Sequence, residues 1–283
     1  MSKAYLPGIL TVLLATAPVR AEPAAPAAAA PVSIEEPPPR LRWSSFYDGG
    51  TVAVSLGTVA VTQVVSVDTS TRWGTQLLPI DDHLKGYHSS SAAKASDILL
   101  AVDVASPLAL FTGQGFDRET AKRVGIYCET LLVGLAVNSV VKTLVGRPRP
   151  YVYSDAPETM AYAESEGSDS HLSFYSGHAS TTYSASVAGA YLFAQSTSDL
   201  NARATVWGVE LALAAATADL RTRAGMHFYS DVLVGATIGT GLGVLIPYLH
   251  GGPRLQLSKR EWAAIVLGTL AGVALGEFMP VGG

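Results

Sequence analysis

The sequence predicts an all-α protein: a helical bundle of six core helices, which we expect to cross a membrane, plus a C-terminal hydrophobic helix. Of the 283 residues, 48% are hydrophobic and only 15% are charged, and the mean hydropathy is +0.29. Average soluble domains carry about 25% charged residues. Long uncharged stretches recur along the chain, and the polar–apolar alternation that is typical of strands is not apparent.

The composition excludes several classes of protein. Cys128 is the single cysteine, so an intramolecular disulfide and a cysteine-based zinc site are excluded. The formal net charge of −4 argues against a nucleic-acid partner. The low charge and the high content of Ala, Val, Leu and Gly indicate helices in or on a bilayer.

The first 48 residues predict a targeting segment and a spacer. Residues 1–21 have the pattern of a signal peptide, in which the apolar stretch Pro7–Ala17 is followed by Val19-Arg20-Ala21, which ends on a small residue as a cleavage site does. This stretch is too short to span the roughly 30 Å of a bilayer core as a helix; the alternative is an uncleaved first helix. Residues 22–48 form an Ala/Pro-rich linker, which we expect to be extended.

Residues 49–249 predict one helical domain, and residues 250–283 predict a C-terminal hydrophobic segment. Three uncharged stretches of 18 to 20 residues are long enough to span a bilayer, namely Gly49–Val67, Ala179–Ser198 and Val232–Leu249. Four further apolar stretches predict helices that are shorter or contain charges, namely Ile98–Phe111, Val124–Val145, Ala204–Ala218 and Trp262–Gly276. A soluble bundle that is exported to the periplasm is the alternative.

Two series of glycines predict close contacts between helices. The glycines of each series are four residues apart, so they lie on one helix face and let another backbone approach. The series are Gly235, Gly239, Gly243 and Gly268, Gly272, Gly276.

Two polar stretches separate the apolar ones. Residues 68–94 contain Asp81, Asp82, His83 and His88. We interpret this stretch as a solvated loop rather than a metal site, because these side chains do not have the helical or turn spacing of a set of metal ligands. Tyr151–His171 is acidic, with no lysine or arginine, and also predicts a solvated face.

The first of three clusters with potential chemistry follows an apolar stretch. It contains Lys142, Arg147 and Arg149, and it closes with prolines that stop a helix. The cations favour either a stop-transfer flank or a phosphate cradle, because arginine offers a planar fork of donors to phosphate.

The second cluster is the triplet Ser176-Gly177-His178, which begins a helix. Free N–H groups at a helix start bind anions, and a histidine there can protonate a leaving group. By itself, the triplet favours an ordinary helix cap.

The third cluster contains Arg221, His227 and Asp231. Because His227 and Asp231 are four residues apart, we expect them to share a helix face, with the carboxylate on one imidazole N–H and the other ring nitrogen free to attack. Such a pair alone is often structural. Together, however, the three clusters supply phosphate donors, a nucleophile, its orienting group and a general acid, with no carboxylate cluster for Mg²⁺.

In these motifs the sequence resembles the type 2 phosphatidic acid phosphatase (PAP2) superfamily, which includes vanadium haloperoxidases and bacterial class A acid phosphatases. Lys142-x6-Arg149-Pro150 matches the first family motif in full. Ser176-Gly177-His178 matches the second except that Tyr175 replaces proline, and Arg221-x5-His227-x3-Asp231 matches the third except that Leu220 replaces serine. The resemblance covers roughly residues 49–249.

The resemblance implies a role for each motif residue. His227 attacks phosphorus to give a phosphohistidine, Asp231 orients it, and His178 protonates the leaving alkoxide and later activates water. The non-bridging oxygens are held by the other motif residues, Lys142, Arg149, Arg221, Ser176 and Gly177. Arg147 lies outside the match, and we expect it to support the site or to contact a lipid headgroup.

The implied function is a metal-independent, cofactor-free phosphatase for a lipid phosphate or isoprenyl diphosphate. The sequence does not choose the lipid, and it gives no oligomeric state. Three alternatives remain: a soluble periplasmic acid phosphatase for small phosphate esters, a vanadate-dependent haloperoxidase, and a membrane protein without catalytic activity that binds lipid headgroups.

For the location we expect a bacterial inner membrane, with the site facing the periplasm or exterior. The basic loops around Arg118–Arg123 and Arg254–Arg260 prefer the cytoplasm and lie opposite the motifs if helices alternate. A cleaved signal opposes this orientation, because it leaves Gly49 outside.

Overall fold

The computed structural model describes residues 40–67 and 78–279, and the predicted signal segment and most of the linker lie outside these ranges. Within them the protein is helical, without strands. The helices are α1 (Tyr47–Val64), α2 (Ser90–Thr112), α3 (Arg118–Val145), α4 (Pro157–Glu166), α5 (Gly177–Ala194), α6 (Leu200–Arg223), α7 (Tyr229–Leu249) and α8 (Lys259–Phe278). The prediction of six core helices and a C-terminal helix is confirmed, with α4 as an additional short helix.

Helix α5 forms the centre of the bundle. Thirteen of its 18 residues are buried, and it packs against α2, α3, α6 and α7. The main hydrophobic core surrounds it and includes Leu192, Tyr127 and Trp207. A helix that is covered on all sides needs no purely apolar sequence, and α5 buries several serines and threonines.

The two glycine series lie at the closest helix contacts, as predicted. A Cβ on Gly239 of α7 would lie 2.3 Å from the carbonyl oxygen of Ser180 in α5. A Cβ on Gly272 of α8 would lie 2.2 Å from the carbonyl oxygen of Ala212 in α6. Any side chain at either glycine would push the helices apart.

Four helical segments are long and apolar enough to cross a membrane. They are Ser90–Thr112, Arg118–Tyr153, Tyr229–Leu249 and Lys259–Phe278. Of the three uncharged stretches that the sequence marks as spans, only the one in α7 is among them. The stretches in α1 and α5 carry many small polar residues, which lowers their hydropathy.

The acidic stretch Tyr151–His171 contains helix α4, which begins with Pro157 in its first turn and, as expected for a solvated face, buries none of its residues. Two predictions about the segments outside the helices need correction. Asp81 is fully buried instead of solvated, because an arginine reaches it from the first motif. The end of the linker is packed, since Leu41 belongs to the main core.

The helices place all three motifs at one end of the bundle. Helices α3 and α6 end there, and α5 and α7 begin there, so this end is called the motif end. Helix α1 begins at the opposite end, where Asp48 lies 3.4 Å from His250, which follows α7.

Candidate active site

The motif end contains a cavity of about 430 Å³. Arg149, His178 and Arg221, one from each motif, line it together. The motifs also join through the backbone, because the N–H of Ser176 donates to the carbonyl oxygen of Asp231 at 3.1 Å. The structure therefore brings together three sequence clusters that are up to 89 residues apart (Lys142 to Asp231).

The first motif leaves α3 through a left-handed turn. Gly146 has φ +61°, and its N–H donates to the carbonyl oxygen of Lys142 at 3.0 Å, which closes the last turn. Beyond the turn, Arg149 donates to the Asp169 carboxylate at 2.6 Å and to its carbonyl oxygen at 2.9 Å. This pairing fixes the Arg149 guanidinium at the cavity wall.

The second motif forms the N-terminus of α5. Ser176 is the N-cap, and its hydroxyl accepts from the N–H of Ala179 at 3.3 Å. The N–H groups of Gly177 and His178 belong to the first turn, where the helix supplies no carbonyl partner, so they suit an anion. A Cβ on Gly177 would lie 2.9 Å from Asn138 Oδ1 and 3.6 Å from Lys142 Nζ, which places the lysine against this helix start.

The third motif differs from its prediction. Helix α6 ends at Arg223, Gly225 turns the chain at φ +68°, and α7 begins only at Tyr229. His227 therefore precedes the helix and does not share a helix face with Asp231. The Nδ1 atom of His227 lies 4.0 Å from Asp231 Oδ2, too far for a hydrogen bond.

Ser173 instead connects His227 to Asp231. Its carbonyl oxygen accepts from His227 Nδ1 at 2.8 Å, and its hydroxyl donates to Asp231 Oδ2 at 2.6 Å. The N–H of Ser173 donates to the carbonyl oxygen of Arg147 at 2.9 Å. Because a carbonyl can only accept, Nδ1 carries the proton and Nε2 has the free lone pair.

Arg147 is a buried structural arginine and not a headgroup contact. It is 2% exposed, it pairs with Asp81 at 2.9 Å, and it forms a short contact with Asp231. The guanidinium also lies over the Phe228 ring, 4.3 Å from the centroid. Asp81 in turn accepts from the Ser230 hydroxyl at 2.6 Å, so the network holds the start of α7.

Asp97 of α2 is a site residue that the sequence analysis missed. Its carboxylate lies 2.8 Å from His178 Nε2 and 3.5 Å from Arg221. It is 81 residues before His178, and no spacing rule connects it to the motifs. Its place beside the apolar stretch Ile98–Phe111 was the only available signal.

Burial and nearby charges lower the pKa values of the two histidines at the site. Burial lowers the pKa of His227 well below its ordinary value, and the nearby cations Arg221, Arg149 and Lys142 lower it further. The pKa of His178 is also lowered, first by burial and then by Arg221, whereas Asp97 opposes this shift. His227 is thus neutral, and an anion in the cavity would offset the cations that disfavour a protonated His178.

The comparison with known families agrees with the three motifs. Residues 123–254, which include all three motifs and make up slightly less than half of the chain, match the model of the PAP2 superfamily. The chain is similar to the decaprenylphosphoryl-5-phosphoribose phosphatase of Mycobacterium tuberculosis, in two strains, with 33% identity over 128 residues. The alignment covers 45% of this chain and 61% of the relative. No solved structure matches the chain significantly.

Proposed function

We propose that the protein is a phosphatase that removes phosphate from a lipid- or polyprenyl-linked phosphoester through a phosphohistidine, without a metal at the reacting centre. One observation carries the proposal: His227 is held as a neutral imidazole that donates its Nδ1–H to the Ser173 carbonyl, beside the cations Lys142, Arg149 and Arg221. A neutral imidazole that faces an anion cradle is a nucleophile for phosphorus.

In the first step, His227 Nε2 forms a bond to phosphorus as the bond to the leaving oxygen breaks. Protonated His178 gives its proton to that oxygen. The developing charge on the three remaining oxygens is met by Lys142, Arg149 and Arg221, and by the first N–H groups of α5. Asp97 contributes by favouring the protonated form of His178.

In the second step, His178 is neutral and accepts a proton from water. The water oxygen attacks phosphorus, and the bond between phosphorus and His227 Nε2 breaks. Phosphate leaves, and His227 Nε2 regains its lone pair while Nδ1 keeps its proton and still donates it to the Ser173 carbonyl oxygen. Both histidines return to their starting states, so the cycle balances.

The surroundings of the site favour a membrane-bound substrate with a polar head. Four helical segments have the length and hydropathy of membrane spans, which suits an apolar tail. Three carboxylates, Asp97, Glu166 and Asp169, line the cavity; they accept hydrogen bonds from hydroxyls and repel a second phosphate. The name of the mycobacterial relative specifies a phosphoribose on a decaprenyl phosphate, so we favour a phosphorylated sugar or polyol headgroup.

Phosphate release from a panel of lipids tests the proposal. Purified protein in detergent is given phosphatidic acid, phosphatidylglycerol phosphate, undecaprenyl diphosphate and a polyprenyl-linked sugar phosphate. We expect turnover of at least one, strongest for the hydroxyl-rich headgroups, with retention of activity in EDTA and inhibition by orthovanadate. Absence of hydrolysis across the panel, or activity that EDTA abolishes and Mg²⁺ restores, would contradict the proposed chemistry.

A further inference from the structure

A second cluster of ionisable groups lies at the end of the bundle opposite the motifs. His250 Nε2 lies 3.2 Å from Glu129 Oε2 and 3.4 Å from Asp48 Oδ1. All three ligand atoms lie within 4.8 Å of one another. The side chains come from α1, α3 and the residue after α7, and none takes part in the proposed reaction.

The His250 ring is held with one nitrogen directed at the carboxylates. Nδ1 lies 2.8 Å from the carbonyl oxygen of Ile246, so Nδ1 carries a proton. Trp43 stacks on the ring at a centroid distance of 6.2 Å. The N–H of Arg42 donates to the carbonyl oxygen of His250 at 2.8 Å. Metal-binding histidines are held in this way, with the second ring nitrogen on a backbone carbonyl.

Glu129 supplies an independent sign that the cluster takes a ligand. Its side chain is 5% exposed, and Oε2 has no assigned hydrogen bond in the part of the chain that the structure describes. Its contact with His250 Nε2, at 3.2 Å, is a hydrogen bond only if that nitrogen is also protonated, and a buried carboxylate oxygen without a hydrogen bond is costly. When His250 is neutral, its Nε2 lone pair also faces the carboxylate oxygens of Glu129 and Asp48. A cation between these three atoms would give the Glu129 oxygen a partner and would remove the repulsion between the lone pair and the carboxylates.

The two distances from His250 Nε2 fit the edges of a tetrahedral metal site. Nitrogen and oxygen ligands at about 2.0–2.1 Å from tetrahedral Zn²⁺ lie roughly 3.3 Å apart. The two contacts of Nε2, at 3.2 and 3.4 Å, match that edge length. One histidine and two carboxylates also form a ligand set that Zn²⁺ accepts, with water as the fourth ligand.

We propose that Asp48, Glu129 and His250 bind one Zn²⁺ ion as a structural clamp. The ion joins α1 to α3 and α7 and holds the segment before α1, through Trp43 and Arg42, against the end of α7. Because the clamp lies at the end opposite the motifs, its removal lowers thermal stability while leaving the phosphatase chemistry in place.

The test measures metal binding on the full chain, purified in detergent without a histidine tag and stripped with EDTA. Titration with Zn²⁺ is expected to show one ion per chain and a rise in unfolding temperature. Co²⁺ in its place is expected to give the visible bands of a tetrahedral site. Glu129→Gln and His250→Gln should weaken Zn²⁺ binding at least about tenfold, in the range seen when groups around a metal site are altered, whereas the control His171→Gln binds as the wild type.

Several outcomes would overturn the clamp. One is a wild-type chain that binds no stoichiometric Zn²⁺ or Co²⁺; another is equal binding by wild type and Glu129→Gln. If a variant fails to fold, the Co²⁺ spectrum of the wild type decides alone. A doubly protonated His250 in metal-free and Zn²⁺-treated protein alike, seen by ¹⁵N NMR, would show that the cluster is an ion-paired imidazolium. None of these results depends on phosphatase activity.

Discussion

The Nδ1 atom of His227 lies 2.8 Å from the carbonyl oxygen of Ser173. This bond makes Ser173 the residue that orients the His227 ring, the nucleophile in the proposed function, whereas the family motif assigns that task to Asp231. Asp231 acts one step further away, since it accepts from the Ser173 hydroxyl and from the Phe228 N–H at 2.6 and 2.9 Å. The carboxylate therefore positions the two backbone segments on either side of the imidazole.

The first prediction concerns this indirect support. Ser173→Ala removes the hydroxyl but keeps the carbonyl, so we expect kcat to fall roughly tenfold or more with KM little changed. Asp231→Asn should lower kcat further, and the double variant should lose less than the product of the single effects, because both act through one contact. Steady-state kinetics measure all three variants, with the exposed Ser165→Ala as control. Full activity in Ser173→Ala would show that the hydroxyl plays no part.

The second prediction concerns the proposed nucleophile. His227→Ala should abolish phosphate release, with a loss beyond the roughly 10²–10³-fold that removal of one charge-stabilising donor costs. His171→Ala is the matched control, since His171 is half-buried and, among the residues that the structure describes, its ring hydrogen-bonds to its neighbour Ser170. An unfolding temperature close to that of the wild type verifies that each variant is folded. If His227→Ala kept a tenth of the wild-type rate, another residue would be the nucleophile.

A covalent intermediate gives a direct check on the same assignment. His178→Ala should accumulate phosphoenzyme when the substrate has a leaving group good enough to depart without a proton. Acid-labile, base-stable label on the protein is the expected signature, and it should disappear in the double variant that also lacks His227.

The third prediction separates two arginines that are two residues apart. Arg147→Ala leaves the buried carboxylates of Asp81 and Asp231 without their cation, so we expect a loss of about 3–5 kcal/mol in the free energy of unfolding. Arg149→Ala should leave stability nearly unchanged, because its partner Asp169 has a side chain that is 48% exposed. Its loss should appear in kcat/KM instead. Thermal unfolding measures the stability of both variants. Equal destabilisation by the two substitutions would contradict the assignment of Arg147 to stability and of Arg149 to activity.

The fourth prediction concerns the protonation of His227. Because burial and three cations lower its pKa, the proton leaves at a lower pH than in a free histidine, whose pKa is about 6.5. The ring should stay neutral as the pH falls through 6.5, with the proton on Nδ1. ¹⁵N NMR of histidine-labelled protein measures this, and His227→Gln assigns the signal. A His227 ring that is half protonated at pH 6.5 or above would show that its pKa is not lowered and would contradict the prediction.

The sequence marked the motif residues that the fold brings together at one end of the bundle, but it did not mark the residues that hold them in place. The motif residues sit at helix ends, which apolar stretches and prolines mark within the sequence itself. Asp97 and Asp81 come from segments far along the chain, and their pairing with His178 and Arg147 arises only when α2 and the segment before it pack. The four-residue interval between His227 and Asp231 predicted a shared helix face, and this prediction was wrong. Gly225 turns the chain, and α7 begins only after His227.

The last prediction concerns the side of the membrane that the motif end faces. The loops at the opposite end carry basic residues, among them Arg118 and Arg254, and basic residues near helix ends prefer the cytoplasm. The motif end carries the acidic stretch Tyr151–His171, so we predict that the site faces the exterior. The predicted signal peptide argues for the other orientation. Helix α1 begins at the end opposite the motifs, and a cleaved signal would place that end outside.

Single cysteines decide between the two orientations. In a Cys128→Ser background, Ser165→Cys places a thiol on the exposed face of α4, at the motif end, and Gln114→Cys places one in the exposed turn after α2, at the opposite end. A membrane-impermeant maleimide applied to intact cells, with the outer membrane permeabilised, should label the cysteine at 165 and reach the one at 114 only after lysis. The reverse pattern would mean a cytoplasmic site and a different pool of substrates. Labelling of both before lysis would point to a wholly exported domain, because neither end would then be protected by a bilayer.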